Sequence, residues 1–479
     1  MRRCVVSLLA LAWLMGGCAV DQEKEVATYR RVIDIPATQP AQDFQPGEPV
    51  TVRRAMLLAN ALNEQLSIEG EDYLQALIDR RRAVAAFLPT VGLSPRYTIR
   101  DRTSGGGGAD NDNDLGTGGG SSQRETFDVP VTGAINVFNG FSDLARLRSS
   151  RLTIEQRRAL LLDVQEQLLL DVARVFYQVL RSEESVRVLE NSLAVQDARL
   201  RDVRGRREAG VVRPLDVAQI EAQASQTRVS LIAARADVVN GRATLAFITN
   251  AAVATSPLVE AFEVPPIALP ASALRAIAEE RRRDLAAAVA AARAARQEVE
   301  VAWGQYYPSV ALDLSVFLYR ESSPQSRDWD ALIRANLPIF SAGLIHADVR
   351  TAWSLFRQAV LNESLTRRQV AKDVAIAHED LLSSGRRLDE SRTQLAAAEQ
   401  AFVQADRSNA IGLATNLERL IAQDQLLAAQ LQYVSEQFAR KVSYLNLLRA
   451  TGSLRSALEE MATTTRPATQ PAALPLSGL

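Results

Sequence analysis

The chain has little of what metal and redox chemistry draw on: 2 cysteines, Cys4 and Cys18, and 2 histidines, His346 and His378, in 479 residues. Past residue 18 there is no cysteine, and the histidines fall far apart on predicted helices, so neither a disulfide framework nor a Cys/His metal cluster can be built in the body of the chain. No enzyme and no cofactor are expected on these grounds. Charge of one sign is missing too, with 55 Lys+Arg against 56 Asp+Glu. That balance leaves no basic excess to draw nucleic acid, so none is expected as a partner. Neither a phosphate-binding glycine loop with its lysine nor an apolar run long enough for a membrane helix is present, so neither nucleotide-driven chemistry nor a membrane-spanning helix is expected. Proline is absent from 131 to 213 and again from 339 to 466, which permits two very long uninterrupted helices.

What is present comes twice. Arg207-Glu208-Ala209-Gly210-Val211-Val212-Arg213-Pro214-Leu215-Asp216 is a glycine-marked turn between helical runs, and a shift of 202 carries Gly210 to Gly412, Leu215 to Leu417 and Asp216 to Glu418. The same shift carries Val172, Val179, Val186, Leu193 and Leu200 onto Val374, Leu381, Leu388, Leu395 and Phe402. An apolar residue every seventh position is a coiled-coil seam, and its preservation in register points to a duplicated helical hairpin. The run from Ser142 to Glu208 alone predicts a helix of roughly 100 Å.

Ahead of each hairpin the period changes from helical to two. Val91, Leu93, Pro95, Tyr97 and Ile99 alternate with polar neighbours, as do Phe127, Val129, Val131, Ile135 and Val137. In the second copy Val310, Leu312, Leu314, Val316 and Leu318 do so, and then Trp329, Ala331, Ile333, Ala335 and Leu337. Four strands of bilayer-crossing length follow, at about 90–100, 126–138, 309–320 and 329–340. The Gly/Asp-rich segment from Gly105 to Ser122 joins the first two as an exposed loop and lacks the glutamate of a calcium loop. Bacterial barrels need at least about eight strands, so a barrel made from four per chain must be shared between chains.

At the N-terminus, Met1-Arg2-Arg3 and the apolar run from Val5 to Met15 read as a secretory signal, too short to span a membrane. Met15-Gly16-Gly17-Cys18 resembles a lipoprotein signal box, with Met where that pattern favours Leu, and Ala19 in that pattern implies sorting to the outer membrane. The expected organisation is a signal over 1–17, a lipid-anchored linker over 18–49, repeat 1 over 50–250 with its hairpin at 142–249, a linker over 251–270, repeat 2 over 271–452 with its hairpin at 343–450, and a disordered tail over 453–479.

The order helix, strand pair, long helix, glycine turn, helix, given twice, resembles the TolC-like outer-membrane factors of lipoprotein type. Local motifs agree: Ala86-Phe87-Leu88-Pro89 and Tyr306-Tyr307-Pro308-Ser309 resemble the family's helix-to-strand junctions, and Phe138-Asn139-Gly140 and Phe340-Ser341-Ala342-Gly343 its strand-to-helix junctions. The resemblance implies a mainly α chain with a small β part, forming a homotrimer whose twelve-stranded barrel in the outer membrane continues as an α-helical barrel across the periplasm. It implies a passive exit duct for small molecules, with a periplasmic adaptor protein and an inner-membrane pump as partners and Cys18 held in outer-membrane lipid. Gly210, Leu215, Asp216, Gly412 and Leu417 would then form the periplasmic tip that meets the adaptor. Acids six and nine residues after the second glycine are often found in the family. Here those positions hold Glu418 and Ile421, which leaves Glu418, with Asp424 a turn beyond, as the candidate constriction. A periplasmic coiled-coil adaptor or scaffold lipoprotein is the alternative, and it would not need four amphipathic strands.

Overall fold

The computed structural model describes residues 20–35, 44–99, 125–266, 269–321 and 328–463. The signal, Cys18 and the loop from Gly105 to Ser122 lie outside the described residues. The elements run α1 (Gln22–Ile33), β1 (Val50–Thr51), α2 (Val52–Leu62), α3 (Glu64–Ala85), β2 (Thr90–Leu93), β3 (Arg96–Ile99), β4 (Glu125–Asn139), α4 (Ser142–Glu208) and α5 (Pro214–Thr249). After β5 (Leu258–Val259) the second copy follows as α6 (Ala271–Arg281), α7 (Arg283–Gly304), β6 (Ser309–Arg320), β7 (Trp329–Asn336), α8 (Leu344–Ala410) and α9 (Asn416–Ala450), closed by α10 (Leu454–Thr463). The two long helices are 67 residues each and related by the shift of 202 that the turns show. No helix among the described residues is long and apolar enough to cross a membrane.

The chain divides into two compact units. The first, residues 1–74, 157–287 and 363–479, holds the main core, where Leu58, Leu169, Phe176, Tyr177, Leu245, Phe438 and Leu445 are buried together. The seams behave as their spacing predicts: Val172, Val179, Leu200, Val374 and Leu381 are buried, and the other members half-buried. Two expectations need correction here. The segment 18–49 is not linker throughout, because α1 is capped by Asp21 and buries Tyr29 and Ile33. The Tyr29 ring lies so close over Gly70 that a Cβ there would stand 2.3 Å from it, and Arg30 Nη1 donates to Ala61 O at 2.8 Å. Nor is 453–479 wholly a tail, since α10 places Leu454 and Leu458 in the core, and Arg455 donates to Val32 O and Asp34 O at 3.1 and 2.8 Å. Helices α1 and α10 thus hold each other on the body.

The helical stretch ahead of the strands in each copy is broken once, α2 from α3 at Asn63 and α6 from α7 at Arg282, with no proline at the break. A shift of 219 relates these two residues, as it relates the flanking segments of 11 and 22 residues in both copies. Asn63 N–H closes onto Ala59 O at 2.9 Å while its Oδ1 accepts from Leu66 N at 3.1 Å. In the second copy Arg282 N–H closes onto Ala278 O at 2.9 Å and Asp284 Oδ1 accepts from Leu285 N at 2.8 Å. A polar side chain that satisfies the first amides of the next segment makes such a break cheap.

The second unit, residues 75–156 and 288–362, carries the sheet. Its order is β2/β3–β4–β6–β7, antiparallel throughout. The first predicted strand is split at Ser94-Pro95, because proline supplies no amide to the ladder. β7 ends at Asn336, short of the expected 340. Continuing its register onto β6 would bring Leu337 to Pro308, and Pro338 also lacks an N–H. Each strand-to-helix junction is a pair of left-handed residues, Gly140-Phe141 and Ala342-Gly343. A Cβ on Gly140 would stand 2.0 Å from Gly304 O, so only glycine fits that crossing.

Candidate functional site

Both glycine turns are Schellman motifs built on the same atoms. Gly210 has φ +77° and Gly412 +79°. Val211 N–H donates to Arg206 O at 3.0 Å and Gly210 N–H to Arg207 O at 2.9 Å. In the second copy Leu413 N–H donates to Ser408 O at 2.8 Å and Gly412 N–H to Asn409 O at 3.2 Å. A Cβ at either glycine would meet nothing within 4 Å, so the requirement is one of backbone conformation and not of space.

The helices that leave the turns start differently. In the first, Pro214 stands at the first helical position and Arg213 grips Asp216 through two bonds of 3.1 and 3.3 Å. In the second, Thr415 and Glu418 form a capping box: Thr415 Oγ1 accepts from Glu418 N at 3.2 Å, and Glu418 Oε2 accepts from Thr415 N at 2.7 Å. Asp216 and Glu418 are thus each engaged inside their own turn. Asp424 sits apart from them, half-buried against α5, where Gln223 Nε2 donates to its Oδ1, and burial raises its pKa.

Around these caps apolar side chains stand exposed among charged ones, Arg206, Arg207, Glu208 and Arg213 in the first turn. Val211 and Leu215 in one turn and Leu413 and Leu417 in the other are more than half exposed, twins under the shift of 202. Beneath them Leu200, Val203, Val217, Ile220 and Leu420 tie the two hairpins together, and Arg199 Nη2 donates to Asn409 Oδ1 at 2.8 Å. Two buried charge clusters escaped sequence reasoning. Arg419, buried at 5% exposure, pairs with Asp406 and lies 5.6 Å over the Phe402 ring. Further along α4, Glu166 and Asp163 face Arg449 from α9. Charged residues in a helix read as solvated face, and nothing in their spacing marks these as buried.

A family model described as outer membrane efflux protein matches residues 72–251 and 274–453, one match to each repeat. The chain belongs to the outer membrane efflux protein family. It is 24% identical over 347 residues to the outer membrane efflux protein BepC of Brucella suis, covering 68% of this chain and 74% of BepC. Against the probable efflux pump outer membrane protein TtgC of Pseudomonas putida it is 23% identical over 491 residues, covering 94% of this chain and 96% of TtgC. The crystal structure of the outer membrane protein VceC from Vibrio cholerae superposes with a TM-score of 0.71 at 20% identity, covering 84% of this chain and 96% of VceC. The four strands and long helical hairpins are therefore those of an outer-membrane efflux protein, located in the outer membrane and reaching into the periplasm.

Proposed function

We propose that the protein is the outer-membrane duct of a tripartite efflux or secretion system and works as a homotrimer. The observation that carries this reading is the sheet: four antiparallel strands with apolar rows such as Val91, Tyr97, Val316 and Ile333 left exposed, and an open edge on each side. In hydrocarbon an open edge leaves several amides and carbonyls without partners, and four strands are about half the smallest barrel. Three copies give twelve strands and no edge. The duct is passive, without catalysis or cofactor of its own, and an inner-membrane pump supplies the energy through a periplasmic adaptor protein. The adaptor meets the tip at Gly210, Leu215, Asp216, Gly412 and Leu417, where exposed apolar side chains surround two rigid turns, and Glu418 and Asp424 are the acids offered to the constriction. Cys18 carries the lipid, and the loop from Gly105 to Ser122 faces the exterior.

Native mass spectrometry of the detergent-purified protein, followed by reconstitution into planar bilayers, tests the duct. Three chain masses and discrete conductance steps are expected, and a monomer without conductance would refute it. Mass analysis of the mature N-terminus tests Cys18: an unmodified terminus produced elsewhere would defeat the lipid assignment alone.

A further inference from the structure

The apolar face of the sheet does not stop where the strands end. Phe138 lies opposite Val310 in the register, so its ring joins the row of Val310, Leu312 and Leu314. Phe141 meets that ring edge-on at 5.1 Å, and Tyr307 stands edge-on to Phe141 at 6.5 Å. Phe141 and Tyr307 open onto a groove of about 760 Å³ between the first turns of α4 and the last turns of α7, with Trp353 of α8 also lining it. Phe141, Leu144 and Arg148 contribute from the α4 side, and Glu300, Trp303 and Tyr307 from the α7 side. Steps of three and four residues put each set on one face of its helix.

Along both helices the lining changes from ring to charge. Phe141, Trp303 and Tyr307 are each about half exposed or more. Large rings left bare beside a lipid-facing sheet suit the bilayer boundary, where one side of a ring can stay apolar and the other wet. Seven residues from the Phe141 and Tyr307 rings, about 10 Å along a helix, stand Arg148 and Glu300. That step carries the lining out of the hydrocarbon and into the headgroup layer, about 5–8 Å thick. Among the described residues no hydrogen bond or ion pair engages Arg148, which is exposed. Glu300 has only Arg296 Nε at 3.9 Å, with both side chains more than half exposed, a contact worth little. Arg296 is turned instead to α8, 6.0 Å over the Trp353 ring and 5.8 Å over Phe356.

The other repeat shows that the fold does not require this lining. A shift of 202 carries Phe141 to Gly343 and Leu144 to His346, and a shift of 219 relates Trp303 to Val84 and Glu300 to Arg81. Arg148 alone is kept, as Arg350. The corresponding positions therefore lack the rings and reverse the acid. A cation and an anion that line one groove without pairing, under an aromatic rim, complement a ligand with a phosphate, an ammonium and an apolar tail. We propose that the groove between α4 and α7 binds one phospholipid of the periplasmic leaflet per chain. Its phosphate lies on Arg148, its primary ammonium on Glu300, and its acyl chains along Phe141, Trp303 and Tyr307. The site rests on the shared-barrel reading above and adds a lipid class to it. A quaternary ammonium has no N–H to donate to Glu300 and a glycerol headgroup has no cation, so phosphatidylethanolamine is selected over phosphatidylcholine and phosphatidylglycerol.

Native mass spectrometry of the delipidated protein in detergent, titrated with each of these three lipids, tests the site. Three phosphatidylethanolamine adducts per three-chain mass are expected, with about fivefold weaker retention of the other two, as loss of one charge-assisted bond implies. Glu300→Gln should bring the three lipids to about equal retention, Arg148→Gln should weaken all of them about fivefold, and Arg350→Gln should change nothing. Arg148 and Glu300 are exposed, so the variants should keep the parent's thermal midpoint without lipid. Equal retention of the three lipids by the parent, an unchanged preference in Glu300→Gln, or full retention in Arg148→Gln would overturn the site. Three-chain masses and conductance would in that case leave the duct standing. A monomer without conductance would refute the duct and, with it, the bilayer level on which the site depends.

Discussion

Glu166 and Arg449 face each other between α4 and α9, Oε2 to Nη1 at 3.8 Å, and Glu166 Oε2 and Arg449 Nε each lack a hydrogen-bond partner. Burial, at 3% exposure, pushes the Glu166 carboxyl up to about 7, with Arg449 opposing the shift. Burial raises neighbouring Asp163 too. Between the ordinary glutamate value of 4.5 and about 7 the folded protein holds a proton that the unfolded chain has released. The resulting stabilisation is full below 4.5 and lost as pH rises through 7. The thermal midpoint of the purified protein should therefore rise as pH falls from 8 to 5.5. Glu166→Gln should flatten that slope and stabilise the protein at pH 8 by about 1–3 kcal/mol. An undiminished slope in Glu166→Gln would show that this carboxyl is not the titrating group.

At the turns, Gly210→Val and Gly412→Val should each cost about 1–2 kcal/mol of local stability, because an L side chain is strained at φ near +78° however open the space. Asparagine tolerates this region better, so Gly210→Asn and Gly412→Asn should lose less. Hydrogen exchange at the Val211 and Leu413 amides, which close the two Schellman motifs, measures it directly. Full protection in both valine variants would mean that the turns do not need glycine.

How much of this was legible follows from what each signal depends on. The seam from Val172 to Leu200 and the turns at Gly210 and Gly412 depend on local spacing and backbone preference, and the structure reproduces both. The alternation from Val310 to Leu318 likewise gives β6 its full length. Helices α1 and α10 were missed because each is short and buries only a few residues, Tyr29 and Ile33 in one and Leu454 and Leu458 in the other. The surfaces that receive them lie far away in sequence, on Gly70, Asn60 and Gln165. Glu166 and Arg419 look like any solvated helix charge until a second helix covers them.

The clamp between α1 and α10 can be measured at Leu458, which is 1% exposed in a core with Leu454. Leu458→Ala should destabilise by about 2–5 kcal/mol, the range for a buried leucine cut to alanine. Arg455→Ala should also weaken the hold on α1, because it removes the donors to Val32 O and Asp34 O. Limited proteolysis between α1 and β1 should then release the N-terminal helix faster than in the unchanged protein. If Leu458→Ala unfolds at the same temperature as the parent, the packing of α10 has been overstated.

The Glu418 carboxylate reaches back to accept from Thr415 N at 2.7 Å and so serves the start of α9. That role does not need a negative charge, since a glutamine side-chain oxygen accepts the same bond. Glu418→Gln should therefore leave the helix start intact, whereas Thr415→Ala should weaken it by about 1 kcal/mol. If copies of the chain also bring this exposed carboxylate to a common axis, it forms a ring that favours cations. In planar bilayers Glu418→Gln is then expected to lower cation preference and relieve block by divalent metals, with Thr415→Ala changing neither by removal of charge. Unchanged selectivity and block in Glu418→Gln would leave this residue as a cap alone. Asp424→Asn is the variant that would follow, although its half-buried carboxylate is already held by Gln223 and is the weaker candidate for an open ring.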